Sequence, residues 1–350
     1  MTDFTAVAAA LKAAGIVNAQ PSKPTTFLST GFPPLDKAIS NDWNGGIPVK
    51  RITEVYGPPS AGKTAIATNA MVSAQRMGGI AIFEDHEHAF DEMQGHSLGL
   101  SLEPGQWIYQ EPRTYEASLE NFQATAGMIR SKKLIPKEAP ICVVFDSLAS
   151  MIPQSALKDF SAMNMNDMTA LARVTSQTMK ILALLADDYN AAVIFLNQIR
   201  TKPGVVYGDP TTTPGGQALG FYASVRIALS ASKITVGTGE EAEVVGQQVK
   251  AKIIKNKINR PFLTSKWQFR YREDGSGYFD LIGSMIDFLR DQDIIKKEGN
   301  FLVWVDGTKY HRAAMVKRVI ADGGLPVLMA MLPAGVELTP EPEDSAEEAA

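Results

Sequence analysis

Cysteine is almost absent from this 350-residue chain. The one thiol, Cys142, excludes an intramolecular disulfide and any zinc ribbon or finger built on several cysteines. A reducing cytoplasm suits it. No run approaches the roughly 18 apolar residues of a spanning helix, and the opening MTDFTAVAAALKAAGI has neither a basic leader nor a small-residue cleavage site. A soluble, cytoplasmic chain with no membrane partner is expected. Net positive charge is missing as well: 34 Lys and Arg against 38 Asp and Glu leave −4. A polycation that binds nucleic acid through its average field is thereby ruled out, and any such affinity needs a local basic surface.

What is present is core material. With 45% hydrophobic residues the chain can fill one large core or a core with small appendages. Phe4, Val7, Ala8, Leu11 and Ala14 recur at helical spacing behind Thr2 and Asp3, so the start reads as a short amphipathic helix stopped near Gly15. The polar, proline-bearing VNAQPSKPTTF then reads as a tether. The helix docks either on its own domain or on a neighbouring protomer. From Ile52 onward, near-continuous apolar runs (RITEVYG, IAIFED, PICVVFDS, AAVIFLNQI) alternate with helical stretches, the pattern of a parallel sheet covered on both faces. MIDFLRDQDII and FLVWVDG, after about Gly283, suggest a small mixed C-terminal module. TPEPEDSAEEAA lacks core-forming residues and reads as a disordered acidic tail. The expected partition is 1–27 helix and linker, 28–282 core, 283–335 module and 336–350 tail.

GPPSAGKT, from Gly57 to Thr64, matches G-x-x-x-x-G-K-[ST] between a strand and a helical segment. Gly57, Pro58, Pro59, Ser60, Ala61 and Gly62 let the backbone curl around phosphate. Ala65 continues into the helix, whose N-terminus meets negative charge. Lys63 reaches the terminal phosphates and Thr64 ligates magnesium, so ATP and Mg2+ are the expected ligands. Asp146 ends ICVVFD at the C-terminal edge of the sheet, where ligands of open α/β sheets bind. It is the expected second holder of the metal, although a strand-end aspartate can also cap a helix. Glu87 lies just past IAIFED, where a carboxylate could activate the water attacking the γ-phosphate. Glu84, Asp85, Asp91 and Glu92 crowd the same stretch, and local pattern leaves the choice among them open.

EHAFD (87–91), FDS (145–147), NQIR (197–200), TPGGQALGFYASVR (213–226) and KNKI (255–258) resemble the RecA recombinase family. STGFPPLD, from Ser29 to Asp36, is similar to the family's lead-in. The resemblance runs from about residue 28 to about 282, and the C-terminal module fits only loosely. It implies a RecA-like P-loop NTPase core, α/β with a mostly parallel sheet and helices on both faces, plus an N-terminal helix and a small α+β C-terminal module. It further implies a DNA-dependent ATPase, producing ADP and phosphate, that forms a helical homo-oligomeric filament on single-stranded DNA. The filament pairs that strand with homologous duplex in recombination and repair, and single-strand-binding and mediator proteins are possible partners.

By the same resemblance Glu87 becomes the general base and Asp91 joins the nucleotide-binding set. Gln198 senses the γ-phosphate; a strand-end amide otherwise satisfies nearby backbone. Lys255 and Lys257, two apart and on one side of a strand, reach a neighbour's ATP; as a bare pair they read as solvated surface. Phe221 packs across protomers, where ordinary burial is the alternative.

TKPGVVYGDPTTTPGGQA, after Arg200, is a long glycine-, proline- and threonine-rich segment in a compact core. Its backbone N–H groups and hydroxyls suit phosphate binding, and the resemblance makes it a DNA loop with Arg200, Gly215, Gly216 and Gln217. A second DNA element is KDFSAMNMNDMTALARVTSQTMK, with Met168 as a wedge between bases and Arg173, Ser176 and Lys180 on the backbone. Simple core packing of the methionines is the alternative. The chain departs from the family pattern at Gln94, in place of an aromatic platform for adenine, and at Pro203, Pro214 and Gly220. These departures suggest a divergent, phage-encoded branch. A hexameric RecA-fold motor and a binding-only paralogue are the rival readings; the intact set Lys63, Thr64, Glu87 and Asp146 disfavours the second.

Overall fold

Strands that are apolar on both sides build the centre of the molecule. In the computed structural model, which describes residues 4–15, 23–157, 167–201, 211–237, 242–274, 276–333 and 338, the elements begin with α1 (Phe4–Ala13), β1 (Phe27–Leu28), α2 (Pro33–Ser40), β2 (Ile47–Pro48) and β3 (Ile52–Tyr56). Next come α3 (Lys63–Arg76), β4 (Ile80–Asp85), α4 (Glu92–Ser97), β5 (Trp107–Gln110), α5 (Tyr115–Ser131) and β6 (Ile141–Asp146). A 3-10 turn (Leu148–Ser150) and α6 (Gln154–Leu157) precede α7 (Asp167–Asp188), β7 (Ala191–Asn197), β8 (Arg200–Thr201), β9 (Thr211–Thr212) and α8 (Gln217–Tyr222). The remainder is β10 (Val225–Val236), β11 (Glu243–Asn256), β12 (Thr264–Tyr271), β13 (Gly277–Phe279), α9 (Leu281–Asp291), β14 (Lys296–Glu298), β15 (Phe301–Val303), β16 (Lys309–Tyr310), α10 (Arg312–Ala321) and α11 (Leu325–Ala330).

The large sheet runs β13-β12-β11-β10-β3-β7-β6-β4-β5. Strands β10, β3, β7, β6, β4 and β5 are parallel in sequence of neighbours, as the apolar runs predict. Strands β11, β12 and β13 extend it antiparallel. Side chains alternate cleanly: Cys142 and Val144 of β6 with Ala192, Ile194 and Leu196 of β7 join one core cluster. Ile141, Val143 and Phe145 with Ala191, Val193 and Phe195 join the other. The first cluster lies under α2 and α3, the second under α5, α7 and α8. Thr114 starts α5 by accepting the Ala117 N–H, and Asp280 starts α9 by accepting that of Gly283.

The C-terminal module has its own three-stranded antiparallel sheet, β14-β15-β16. Its Met285, Ile286, Leu289, Leu302, Trp304, Met315 and Val319 nevertheless belong to the first cluster of the large sheet. Helix α1 buries none of its residues, with Phe4 76% and Val7 48% exposed, so its apolar stripe is left uncovered by the described residues. Among the described residues no helix is long and apolar enough to cross a membrane. Most of the tether, residues 158–166, residues 202–210 with Pro203, and the tail apart from Leu338 lie outside the described residues.

Candidate nucleotide and DNA site

The loop from Gly57 to Thr64 joins β3 to α3 at the C-terminal edge of the parallel strands. Two of its glycines are required sterically. A Cβ on Gly57 would meet the Leu229 carbonyl oxygen at 2.7 Å, and Gly62 sits at φ +85°. Lys63 Nζ folds over the loop, donating to the carbonyl oxygens of Gly57 (3.1 Å) and Pro58 (2.9 Å). Burial lowers its pKa, while the Asp146 and Glu87 carboxylates raise it. Thr64 donates its hydroxyl to Asp146 at 3.3 Å. Burial first, then the Glu87 and Asp85 charges, pushes Asp146 up to about 7; Thr64 and Lys63 pull the other way.

The crowd of acids after β4 separates by geometry. Glu84 is fully buried and takes a hydrogen bond from Asn121 at 3.2 Å. Asp85 accepts the backbone N–H groups of Glu87, His88, Ala89 and Phe90 and the Tyr109 hydroxyl, so it shapes the loop. Asp91 caps α4 through the Gln94 N–H at 3.0 Å, and Glu92 is exposed in that helix's first turn. Glu87, exposed, is the one that reaches across to β6 and β7. Its Oε1 accepts from Ser147 (2.5 Å), Ser150 (3.1 Å) and Gln198 (3.0 Å).

Sequence reading missed the network beneath. Buried Glu54 of β3 accepts from Arg226 Nε at 2.5 Å and from Asn197 Nδ2 at 2.9 Å. Asn197 also donates to the Pro214 carbonyl (3.2 Å) and accepts the Gln198 N–H (3.0 Å). Arg226 reaches Thr213 at 3.4 Å and covers the Tyr56 ring. The strand under the phosphate loop is thus tied to Gln198 and to the far end of the threonine-rich loop. The charged Glu54 inside an apolar strand was the available signal.

Lys255 and Lys257 lie away from the chain's own phosphate loop. Lys255 pairs with Arg226, which pairs with Glu54 three residues before Gly57. Lys255 Nζ donates to the carbonyl oxygens of Gly220 (2.6 Å) and Phe221 (2.7 Å), and Lys257 Nζ to that of Phe221 (3.3 Å). Both ammonium groups also sit over the Phe221 ring, itself 70% exposed. On α7, Arg173, Ser176 and Lys180 are all exposed, at a spacing that keeps them on one face. The side chain of Met168 is outside the described residues. Arg200, Pro214, Gly215 and Gly216 line a cleft of 660 Å³ with Met151, Leu157 and Ala172. Gly215 and Gly216 have φ +87° and +75°, and a Cβ on Gly215 would meet Leu148 at 2.5 Å. Gln217 opens α8 and is exposed.

A phosphate loop between a central parallel strand and a helix, facing a strand-end aspartate, defines a P-loop nucleotide-binding protein. A family model for the RecA N-terminal domain matches residues 13–276. Protein RecA of Chloroherpeton thalassium is 39% identical over 273 residues, 78% of this chain and 70% of that protein. Protein RecA of Streptococcus sanguinis is 36% identical over 296 residues, covering 84% and 72%; that of Streptococcus equi subsp. zooepidemicus is 36% identical over 297 residues, covering 84% and 73%. The chain belongs to the RecA family, as a recombinase of recombination and repair and a DNA-dependent ATPase.

Proposed function

We propose that the nucleotide is ATP, held with Mg2+, and that single-stranded DNA and homologous duplex are the partners of a helical filament of this chain in the cytoplasm. The observation that carries the reading is the convergence of Ser147, Ser150 and Gln198 on one oxygen of Glu87, close enough to the Thr64–Asp146 pair for both acids to act on Lys63. Among the described residues no group of three or more His, Cys, Asp or Glu could enclose a metal. A lone hydroxyl and carboxylate suit magnesium, which keeps waters and takes its other ligands from phosphate. Bound there, the ion would neutralise charge on the phosphate oxygens.

The chain's own groups would then divide the work. Backbone N–H groups of Pro59-flanked Ser60 to Ala65 and the N-terminus of α3 hold phosphate, and Lys63 leaves its two carbonyl partners for the terminal phosphates. Glu87 takes the proton of the attacking water, oriented by the hydroxyls of Ser147 and Ser150. Gln198 trades its bond to Glu87 for the γ-phosphate, and Asn197 passes that change to Pro214 and the DNA loop. Arg173, Ser176, Lys180, Arg200 and Gln217 face DNA, with Met168 as a wedge and Gly215 and Gly216 allowing close backbone approach. Lys255 and Lys257, far from their own phosphate loop and grouped around exposed Phe221, serve a neighbour's nucleotide across the protomer interface. Asp91 is assigned to the nucleotide's edge, the chain is divided into 1–27, 28–282, 283–335 and 336–350, and mediator and single-strand-binding proteins are accessory partners.

The test is ATP hydrolysis with and without single-stranded DNA, with Glu87→Gln as control and the same samples imaged. Stimulated turnover with helical filaments is expected. DNA-independent turnover from closed rings would overturn the reading in favour of a hexameric motor.

A further inference from the structure

Glu87 leaves the end of β4 on a loop wound around a single carboxylate. Asp85 Oδ1 accepts the N–H groups of Glu87 (2.9 Å) and His88 (2.8 Å), and Oδ2 accepts those of Ala89 and Phe90, both at 3.0 Å. Winding four consecutive residues this tightly puts His88 at φ +53°, in the left-handed region that residues other than glycine seldom enter. Such a turn persists only while its surroundings hold it. Asp85 is buried, and its fifth donor comes from the edge strand β5: the Tyr109 hydroxyl reaches Oδ2 at 3.0 Å.

The sheet register explains why a tyrosine serves there. Phe83 pairs with Tyr109 across β4 and β5, and Asp85 follows two residues later on the same face as Phe83. A side chain on β5 must therefore cover one diagonal step of the sheet, which is within reach of a long aromatic residue. The ring is fixed in place: it stacks on Phe83 at 6.3 Å and on Trp107 at 6.2 Å, and lies 6.3 Å from Phe90, the last residue of the wound loop. The hydroxyl is also 3.0 Å from Glu111 Oε1. With one proton it donates to one acceptor at a time. Glu111 is half exposed and has His88 Nδ1 at 3.4 Å, so water and an imidazole can answer it. Asp85 is 1% exposed and has no such recourse, which places the phenolic proton on its side.

Glu87 is held from two directions, its main chain by Asp85 and its carboxylate by Ser147, Ser150 and Gln198. Once Gln198 turns to the γ-phosphate, more of the aim of that carboxylate falls to the main-chain anchor. We propose that Tyr109 is a positioning residue for ATP hydrolysis: by holding Asp85 it keeps the loop wound and the Glu87 carboxylate on the attacking water. The inference rests on the reading of Glu87 as the general base. A displacement of about 1 Å can cost about 100-fold in rate. Removing one of five donors to Asp85 loosens the loop without releasing it, so about a tenfold loss is expected.

Tyr109→Phe takes away one oxygen and keeps the ring stack. In steady-state hydrolysis by the full chain with magnesium and single-stranded DNA, its kcat should fall about tenfold while KM for ATP stays within about twofold of the parent. A merely structural role would instead raise KM or lower the thermal midpoint, and either result with kcat unchanged would overturn the proposal. Glu111→Gln should keep kcat within about twofold of the parent; a loss as large as that of Tyr109→Phe would shift the effect to Glu111 and overturn the route through Asp85. In a Glu87→Gln background, followed by single-turnover phosphate release, Tyr109→Phe should cost nothing further, because the two act as a unit. A further loss of about tenfold there would show that Tyr109 acts elsewhere. Failure of the underlying reading shows separately: parental turnover by Glu87→Gln alone would sink the general base, and this inference with it.

Discussion

Replacing Arg226 by methionine would leave Glu54 as a carboxylate buried in β3 with only Asn197 to answer it. Glu54 has no exposed side-chain surface, and the Arg226 side chain is 22% exposed. Removing the cation from a buried pair costs about 3–5 kcal/mol, because the remaining charge is uncompensated. The partial hydration of Arg226 argues for the lower end, about 3 kcal/mol, to which loss of its place over the Tyr56 ring adds about 0.5–1 kcal/mol. Glu54→Gln keeps an acceptor for Asn197 and strands only a partly hydrated cation, so about 1.5–3 kcal/mol is expected. The double variant has no charge left to strand. Its loss should fall short of the sum by about 2 kcal/mol, a coupling typical of residues in one network. Urea unfolding of the four proteins at one concentration, without nucleotide, measures all terms. Losses that add to within about 0.5 kcal/mol would show that the pair is not a unit and refute the reasoning.

Glu87→Gln should bind ATP as the parent does while phosphate release slows by at least about 100-fold; parallel loss of binding would contradict the role as base. Arg173→Ala and Lys180→Ala should each lower the salt dependence of single-strand binding by about 0.7 in the log–log slope, and an unchanged slope would remove those residues from the interface. Phe221→Ala, at an exposed site, should shift monomer stability by less than about 0.5 kcal/mol yet reduce assembly followed by light scattering. Glu84 is pushed by burial from 4.5 up to about 8, with Asn121 opposing. The native chain thus keeps a proton that the unfolded chain has released, so this contribution to stability is full below about pH 4.5 and is lost as pH rises through 8. Glu84→Gln should gain thermal stability over the parent progressively across that window, and a constant offset would rule the titration out.

Much of the sheet was legible because β4, β6 and β7 are apolar on both faces and end in a polar residue. ICVVFD and AAVIFLN give both their span and their edge directly. The antiparallel wing was harder to read. β11 buries only alternate positions, and its lysines and glutamines resemble surface until β12 is laid beside it. The apolar runs of the C-terminal module are local, whereas its burial against the large sheet is a long-range fact that no local period records.

The site divides along the same line. Residues named by a contiguous motif, such as Lys63 and Thr64, sit side by side at the start of α3. Residues that act by being held are set by pairing across the sheet. Glu87 and Asp85 are two apart in sequence, yet one is consumed by four backbone N–H groups and the other is aimed at Gln198, a residue 111 positions away. Gln94 looks like a loss when read as a missing ring, and becomes a gain of two hydrogen bonds once Gly277 is beside it. A substitution in a binding motif therefore says that a contact has moved before it says that a function has gone, and the place to search is the partner that the new side chain has found. Here that partner is β13, whose Phe279 lines one cleft with Ser60 to Ala65 of the phosphate loop.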